Sequence, residues 1–239
     1  MPAYPLHNIL FLDIETVSQY DSFEKVPPEG RELWARKAEF LIKDRPAETV
    51  ESVYSRAGIY AEFGKIICIS CGVISESGAD KKLILKSFSG DEEREILLEF
   101  CEMLAKWTPG PTKYLCAHNG KEFDFPYLCR KLLIHGLPIP SILQLSGKKP
   151  WEIPHLDTME LWRFGEYKNY TSLSLLSYVL GIATPKDDID GSMVGDVYWR
   201  QKDLPRIVSY CQKDVIALAQ VYLRLQGESI IGPGNIKIK

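Results

Sequence analysis

The segment of residues 8–15 (NILFLDIE) restricts the fold of this chain more than any other part of the sequence. Side chains alternate between the two faces of a β-strand, so Asp13 and Glu15 lie on the face that Phe11 occupies. This face is apolar at its start and acidic at its end, which predicts a buried strand that runs from the core to the rim of an active site. D-x-E pairs also occur by chance on solvated edges. Here the apolar strand disfavours carboxylates unless they are paired or coordinate a metal, so a functional role is favoured.

The remaining sequence predicts one α/β domain that spans residues 1–239, with a mixed central sheet flanked by helices. Apolar runs bounded by turn residues predict strands, and amphipathic runs with helix start and stop signals predict helices. Further strands are predicted at 65–74, 82–88, 113–119 and 155–157, and helices at 91–107, from the loop after 119 to about 136, at 172–180 and at 203–226. The charged segment 31–57 is predicted to be a peripheral helical insertion.

Composition limits the class of protein. The chain has 239 residues, of which 45% are hydrophobic and 26% charged, as in soluble globular proteins. No apolar run predicts a membrane span, the N-terminal segment lacks the basic region of a signal peptide, and the six scattered cysteines are typical of reduced thiols in a cytoplasmic protein. A net charge of −3 excludes a protein that coats polyanions. It does not exclude an enzyme that grips a few phosphates, because bound cations change the local field.

Three residues further along the chain carry candidate chemistry. Asp124 follows a strand and a polar loop, and it either caps the next helix or serves a metal. Tyr210 and Asp214 are four residues apart on the last predicted helix, so they share one face. They are either a packed, hydrogen-bonded pair or a site in which Asp214 binds a metal and the Tyr210 hydroxyl orients a water. Tyrosine, with an ordinary pKa of about 10, is a poor general base at neutral pH.

The acidic residues form one candidate set, which consists of Asp13, Glu15, Asp124 and Asp214. Carboxylate oxygens are hard ligands that suit Mg²⁺ and Mn²⁺. Four of them that converge in space would make a site for two divalent cations, and such sites cleave phosphodiester bonds.

The order and setting of these residues resemble the tyrosine branch (DEDDy) of the DEDD superfamily of 3′→5′ exonucleases. FLDIET resembles the first exonuclease motif, HNGKEFDF the second and YCQKD the third. The histidine branch would place a histidine at 209, where this chain has serine. The stretches KPWEIPHLDTMELWRFG, NYTSLSLLSYVLGI and TPKDDIDGSMVGDVYW are similar to stand-alone proteins related to the exonuclease domain of family B DNA polymerases. The resemblance covers residues 8 to about 226 and implies a ribonuclease H-like fold.

The resemblance also implies an activity, which is the removal of nucleotides from the 3′ end of single-stranded DNA with two Mg²⁺ or Mn²⁺ ions. In that scheme Asp13 bridges both ions, and Glu15 and Asp214 complete the first site. Asp124 holds the second ion mainly through waters, while Tyr210 and Glu15 orient the attacking water. The candidates for contact with the terminal nucleotides are Leu12, Thr16, Asn119 and Phe123.

Two other functions remain open at the level of sequence. An RNA-trimming exoribonuclease similar to ribonuclease D shares the tyrosine-type third motif, and discrimination would depend on how the site treats the 2′-hydroxyl. A non-catalytic nucleic-acid-binding or scaffold module could keep the same fold, although five intact candidate residues argue against disuse. The chain has no room for a polymerase domain, so proofreading would require a polymerase or repair partner in trans.

Other features carry weaker expectations. Basic and aromatic residues that could bind a single strand are interleaved in the second half, although each one is more simply explained by packing or solvation; they are Lys148, Lys149, Trp151, Trp162, Arg163, Phe164, Tyr167, Lys168, Tyr170 and Lys186. Cys68 and Cys71 should point to opposite faces of one strand, which disfavours a metal or redox pair. His118 is expected to be structural. Asp157 is expected to support the site or to form a turn or helix cap.

Overall fold

The computed structural model describes residues 4–78, 80–166, 168–183 and 189–239. In these ranges the strands form one six-stranded sheet in the order β5-β4-β1-β2-β3-β6. The strands are β1 (Ile9–Ser18), β2 (Gly64–Ser77), β3 (Asp80–Ser89), β4 (Tyr114–Ala117), β5 (Leu156–Asp157) and β6 (Ile236–Ile238). Antiparallel pairing joins β1 to β2 and β2 to β3, whereas β4 is parallel to both β1 and β5. The predicted mixed sheet is confirmed, and β1 lies inside it.

Helices flank this sheet, as the sequence predicted. They are α1 (Pro28–Ile42), α2 (Glu93–Trp107), α3 (Asp124–Ile134), α4 (Thr158–Arg163), α5 (Leu173–Val179), α6 (Val194–Asp196) and α7 (Leu204–Leu225), and a π-helical turn (Val197–Gln201) follows α6. The elements α4, α6 and β6 were not predicted because each is too short to show a hydrophobic period. Within the described ranges, none of the helices combines the length and apolar character that a bilayer crossing requires.

The two faces of β1 meet different helices, and this places its acidic residues. Leu10, Leu12 and Ile14 pack into the cluster that also contains buried residues of α2 and α3. Ile9 and Phe11 belong to the cluster formed with α7. Since side chains alternate along a strand, the face of Phe11 continues through Asp13 and Glu15. The acidic end of β1 is therefore directed to the α7 side of the sheet.

The segment 31–57 is divided into two helices rather than formed as one. Helix α1 ends before Pro46, whose missing N–H disfavours a helix interior, and a 3₁₀ helix (Ser52–Ile59) follows. The two helices share a small core around Trp34, which is fully buried and donates its indole N–H to the Val50 carbonyl at 3.0 Å. Gly58 approaches β1 so closely that a Cβ there would lie 2.9 Å from the carbonyl carbon of Val17.

A buried histidine links β4 to the loop before β5 and predicts a pH-dependent stability. His155 is 3% exposed; it accepts the Leu115 N–H at Nδ1 (3.3 Å) and donates from Nε2 to the Ile142 carbonyl (2.8 Å). Burial lowers its pKa from 6.5 to about 4. The unfolded chain therefore binds the proton first as pH falls, and we expect the free energy of unfolding to drop by about 2 kcal/mol between pH 7 and pH 5 from this residue.

Urea unfolding of the wild type and of His155→Gln at both pH values measures this contribution. The variant is less stable at pH 7 because it loses one hydrogen bond, but its loss of stability on acidification should be smaller by about 2 kcal/mol. An equal pH dependence in the two proteins would contradict the assignment to His155.

Candidate active site

The site begins at the point where β1 and β4 separate. Parallel pairing between them ends at Phe11 and Cys116. Further along β1, the Ile14 N–H donates to Oδ1 of Asp124 at 3.2 Å. Asp124 is 3% exposed and is the first residue of α3. The N-cap position is occupied by Phe123, so the interpretation of Asp124 as the cap is wrong. Its carboxylate instead lies against β1 beside the residue that separates Asp13 from Glu15.

A β-bulge adjusts the acidic end of β1. Glu15 pairs with Cys68 of β2, but the next residue, Thr16, pairs with Ile66, so the register shifts between them. Bulges change the direction of side chains and are common next to active sites. Glu15 is only 7% exposed, whereas Asp13 is half-buried.

Helix α7 brings the third set of side chains to the same place. The Tyr210 hydroxyl hydrogen-bonds to Asp214, its neighbour one turn later, and both side chains are half-buried. Cys211 is fully buried, and its thiol donates to Oδ2 of Asp13 at 3.4 Å. One ligand atom from each of Asp13, Glu15 and Cys211 lies within 4.8 Å of the other two.

Sequence patterns did not single out Cys211. Its spacing from Ile207, Val215 and Leu218 follows the apolar stripe of α7, so the sequence could have shown that the thiol faces the sheet. It could not have shown that Asp13 lies opposite. That contact joins residues 198 positions apart and exists only in the folded chain.

Burial and mutual repulsion dominate the electrostatics of the carboxylates. The pKa of Asp13 is well above its ordinary value because of burial first and then the charges of Glu15, Asp124 and Asp214. The pKa of Glu15 is also raised, by burial and then by Asp214, Cys68 and Asp124. Burial raises the pKa of Asp124 to about 7. Acids crowded in this way either take up protons or bind cations, so this donor set fits divalent cations.

Tyr210 stays protonated in this setting. Its pKa is raised by burial first and then by the charges of Asp214 and Glu15. The phenol is therefore a hydrogen-bond donor at neutral pH rather than a base, as its ordinary pKa already indicated.

The candidate nucleotide contacts occupy different environments. Leu12 is fully buried on the face of β1 that packs towards α2 and α3, which argues against a contact through its side chain. Thr16, Asn119 and Phe123 are half-buried, and the Phe123 ring packs against Tyr127 with centroids 5.4 Å apart. These three residues lie on β1 and on the loop between β4 and α3, close in sequence to the carboxylates.

Two of the weaker expectations find a structural explanation. Cys71 packs in the cluster with α2, while Cys68 faces Cys211, so these two cysteines of β2 do lie on opposite faces. The His118 ring nitrogens contact the Thr158 hydroxyl (2.9 Å) and the Thr171 carbonyl (2.8 Å), which agrees with a structural role.

The basic and aromatic residues of the second half do not form one uniform group. Trp151 and Tyr170 are 76% and 65% exposed, and each ring packs under a cation, Lys149 and Arg163 respectively. Trp162 packs instead into the core around α5. Tyr167 and Lys186 lie outside the described residues. Exposed pairs of a basic and an aromatic side chain are of the kind that binds single-stranded nucleic acids.

Comparison with known proteins defines the family. Residues 59–229 match the family of predicted 3′–5′ exonucleases related to the exonuclease domain of PolB. The chain belongs to this family. The matched residues include Asp124, Tyr210 and Asp214 but begin after β1. Asp13 and Glu15 are therefore associated with the other three by the fold and not by the family match.

The fold agrees with this assignment. The chain superposes on the structure of the family B DNA polymerase from the hyperthermophilic archaeon Pyrobaculum calidifontis with a TM-score of 0.52 and 14% sequence identity. The superposition covers 93% of this chain and 25% of the polymerase chain. This chain thus has a ribonuclease H-like α/β fold. A search of curated proteins returned no match to the sequence.

Proposed function

We propose that this chain is a metal-dependent 3′→5′ exonuclease that hydrolyses phosphodiester bonds at the 3′ end of single-stranded DNA. The observation that carries the proposal is the convergence of acidic side chains from three elements around Asp13. Glu15 comes from the same strand, Asp124 from the start of α3 and Asp214 from α7, and all three raise the pKa of Asp13. Family membership supports the direction of attack, 3′→5′.

The carboxylates divide into two proposed cation sites. Asp13 lies centrally enough to serve both, with Glu15 and Asp214 at the first and Asp124 at the second. Divalent cations such as Mg²⁺ or Mn²⁺ would supply Lewis-acid stabilisation of the attacking and leaving oxygens. The protein contributes carboxylate oxygens that are largely removed from solvent, since Glu15 and Asp124 are 7% and 3% exposed.

The remaining side chains are proposed to orient the attacking water and to contact the nucleotides of the substrate. We assign Tyr210 the orientation of the attacking water, because its hydroxyl is fixed by Asp214 and remains protonated. Asn119, Phe123 and Thr16 are proposed to contact the terminal nucleotide at the rim. The exposed pairs of Lys149 with Trp151 and Arg163 with Tyr170 would serve more distant nucleotides.

The cellular setting is part of the proposal. All six cysteines are free thiols, which supports a reducing compartment such as the cytoplasm. A polymerase or repair protein is a further proposed partner, because the family of this chain is related to the exonuclease domain of PolB.

Degradation of 5′-labelled single-stranded DNA and RNA of the same sequence, with Mg²⁺ or Mn²⁺, tests the function. We expect a ladder of shortened DNA that is absent with EDTA and in Asp124→Ala. As a matched control, Asp196→Ala removes an exposed carboxylate that contacts only Arg200 and the Gln201 side-chain amide among the described residues, and it should degrade DNA like the wild type. A ladder on RNA alone would show that the substrate is RNA and not DNA. Metal binding without shortening of either strand would overturn the enzymatic proposal.

Tyr210→Phe should lower kcat by about 100-fold, because a misplaced attacking water costs about two orders of magnitude, while the affinity for Mn²⁺ stays within a factor of three. Single-turnover kinetics at saturating metal measure the rate. Tyr222→Phe is the matched control on the same helix, since the buried Tyr222 hydroxyl finds no hydrogen-bond partner among the described residues. A normal rate in Tyr210→Phe would exclude the orienting role.

A further inference from the structure

One buried carboxylate beside the site accepts hydrogen bonds from two separate segments. Asp157 ends β5 and is 4% exposed. Its Oδ1 accepts the N–H groups of Met159 (3.0 Å) and Glu160 (3.4 Å), which begin α4. The same oxygen accepts the Asn119 N–H at 2.9 Å, and Oδ2 accepts the Lys121 N–H at 3.1 Å. Asp157 therefore caps α4 and also holds the loop between β4 and α3.

The loop between β4 and α3 adopts a backbone conformation that is unfavourable by itself. Asn119 has a φ of 62°, in the left-handed region that non-glycine residues rarely adopt. The loop closes through the Phe123 N–H, which donates to the Asn119 carbonyl at 3.0 Å. A Cβ at Gly120 would collide with the side chain of Ala117. A strained loop persists only where its surroundings fix it. The hydrogen bonds from the Asn119 and Lys121 N–H groups to Asp157 supply this restraint.

The loop leads directly into Asp124. One side of Asp124 is fixed by the Ile14 N–H of β1, and the loop that carries it is fixed by Asp157 of β5. We infer that Asp157 is a positioning residue that sets the place of the Asp124 carboxylate, and with it the affinity of the proposed second cation site. This inference rests on the proposed function, because it assumes that Asp124 serves a cation.

If Asp157 only capped α4, its replacement would leave the loop before Asp124 and the cation site unchanged. The variant Asp157→Asn distinguishes this capping role from the positioning role. The asparagine Oδ1 can still accept the N–H groups of Asn119, Met159 and Glu160. Its NH₂ group then faces the Lys121 N–H, so two donors oppose each other in a buried place. The cap of α4 is retained while the loop loses its second anchor.

The test measures Mn²⁺ binding by isothermal titration and amide hydrogen exchange of the metal-free protein, for the wild type, Asp157→Asn and Ser172→Ala. Ser172 caps α5 through the Leu175 N–H at 3.3 Å and has no part in the loop. We expect Asp157→Asn to weaken Mn²⁺ binding by about 10- to 100-fold, the usual effect of losing an outer hydrogen bond at a metal site. Exchange should accelerate in residues 119–123 but not in α4, and Ser172→Ala should bind Mn²⁺ like the wild type.

Unchanged Mn²⁺ affinity in Asp157→Asn overturns the inference even if the protein becomes less stable, because a simple cap would give that result. Faster exchange confined to α4 overturns it as well. A wild type that binds no Mn²⁺ overturns the proposed function and this inference together. That outcome is distinguishable because it appears in the unchanged protein.

Discussion

We expect Asp13→Asn to reduce nuclease activity by about 10³-fold or more, because a lost metal ligand removes several kcal/mol of transition-state stabilisation and each 1.4 kcal/mol is worth a factor of ten. The pKa of Asp13 is raised by the charges of all the other carboxylates of the site, which are Glu15, Asp124 and Asp214. Asparagine has nearly the same shape and can still accept the Cys211 thiol. The loss would therefore report on charge and not on packing.

The same substitution should stabilise the metal-free protein. A partly desolvated charge among like charges is unfavourable, and its removal relieves both the desolvation and the repulsion that raise the pKa of Asp13. We expect the free energy of unfolding at neutral pH without metal to rise by about 1 kcal/mol or more. The extra stability that Mn²⁺ gives the wild type should be largely lost in the variant.

Degradation rates and urea unfolding with and without Mn²⁺ measure both effects on one preparation. Asp196→Asn, at an exposed carboxylate, provides the control and should change neither quantity. Activity within tenfold of the wild type in Asp13→Asn would exclude Asp13 as a ligand. A destabilised metal-free variant would show that its carboxylate is held by favourable contacts and not crowded by like charges.

Glu93→Gln should lower the free energy of unfolding by about 3 kcal/mol, the usual result of removing one partner of a buried ion pair. Glu93 begins α2 and is nearly inaccessible. Its carboxylate contacts Lys131 Nζ of α3 at 2.9 Å and Nε2 of His135, just after α3, at 2.7 Å, and it accepts the Ile66 N–H of β2 at 2.6 Å. Glutamine can still accept the Ile66 N–H, but the buried ammonium of Lys131 loses its counter-charge.

The structural reason for a large effect is that Lys131 joins several elements. Its ammonium also donates to the carbonyl of Ala61 (3.3 Å), just before β2, and to that of Gly64 (2.8 Å), the first residue of β2. The network fixes α3, which carries Asp124, against the sheet. Urea unfolding is the measurement, and the exposed Glu95→Gln on the same helix should stay within about 0.5 kcal/mol of the wild type.

The double variant Glu93→Gln, Lys131→Met identifies the cause. If an unpaired charge is responsible, removal of the ammonium should recover part of the stability that Glu93→Gln loses. A double variant as unstable as the sum of the single ones would contradict this explanation and place the loss in the bonds to Ile66 and His135.

Long elements with strong periodicity were predictable from the sequence. The strand at 8–15, the antiparallel strands at 65–74 and 82–88 and the helices at 91–107 and 203–226 occur as β1, β2, β3, α2 and α7. Each contains enough residues for its period to appear. The division of 31–57 into two helices was also accessible, since Pro46 lies inside it and the prediction did not use it.

The site was predictable only in part, for a physical reason. The sequence determined which residue types are available and which of them share a face: Asp13 with Glu15 by the period of a strand, and Tyr210 with Asp214 by the turn of a helix. The tertiary structure alone decided what stands opposite them. Cys211 meets Asp13, Ile14 holds Asp124 and Asp157 holds the loop before it, over separations of 198, 110 and at most 38 residues. Such contacts have no local signal, because they arise from how the sheet orders its strands and where the helices pack against it.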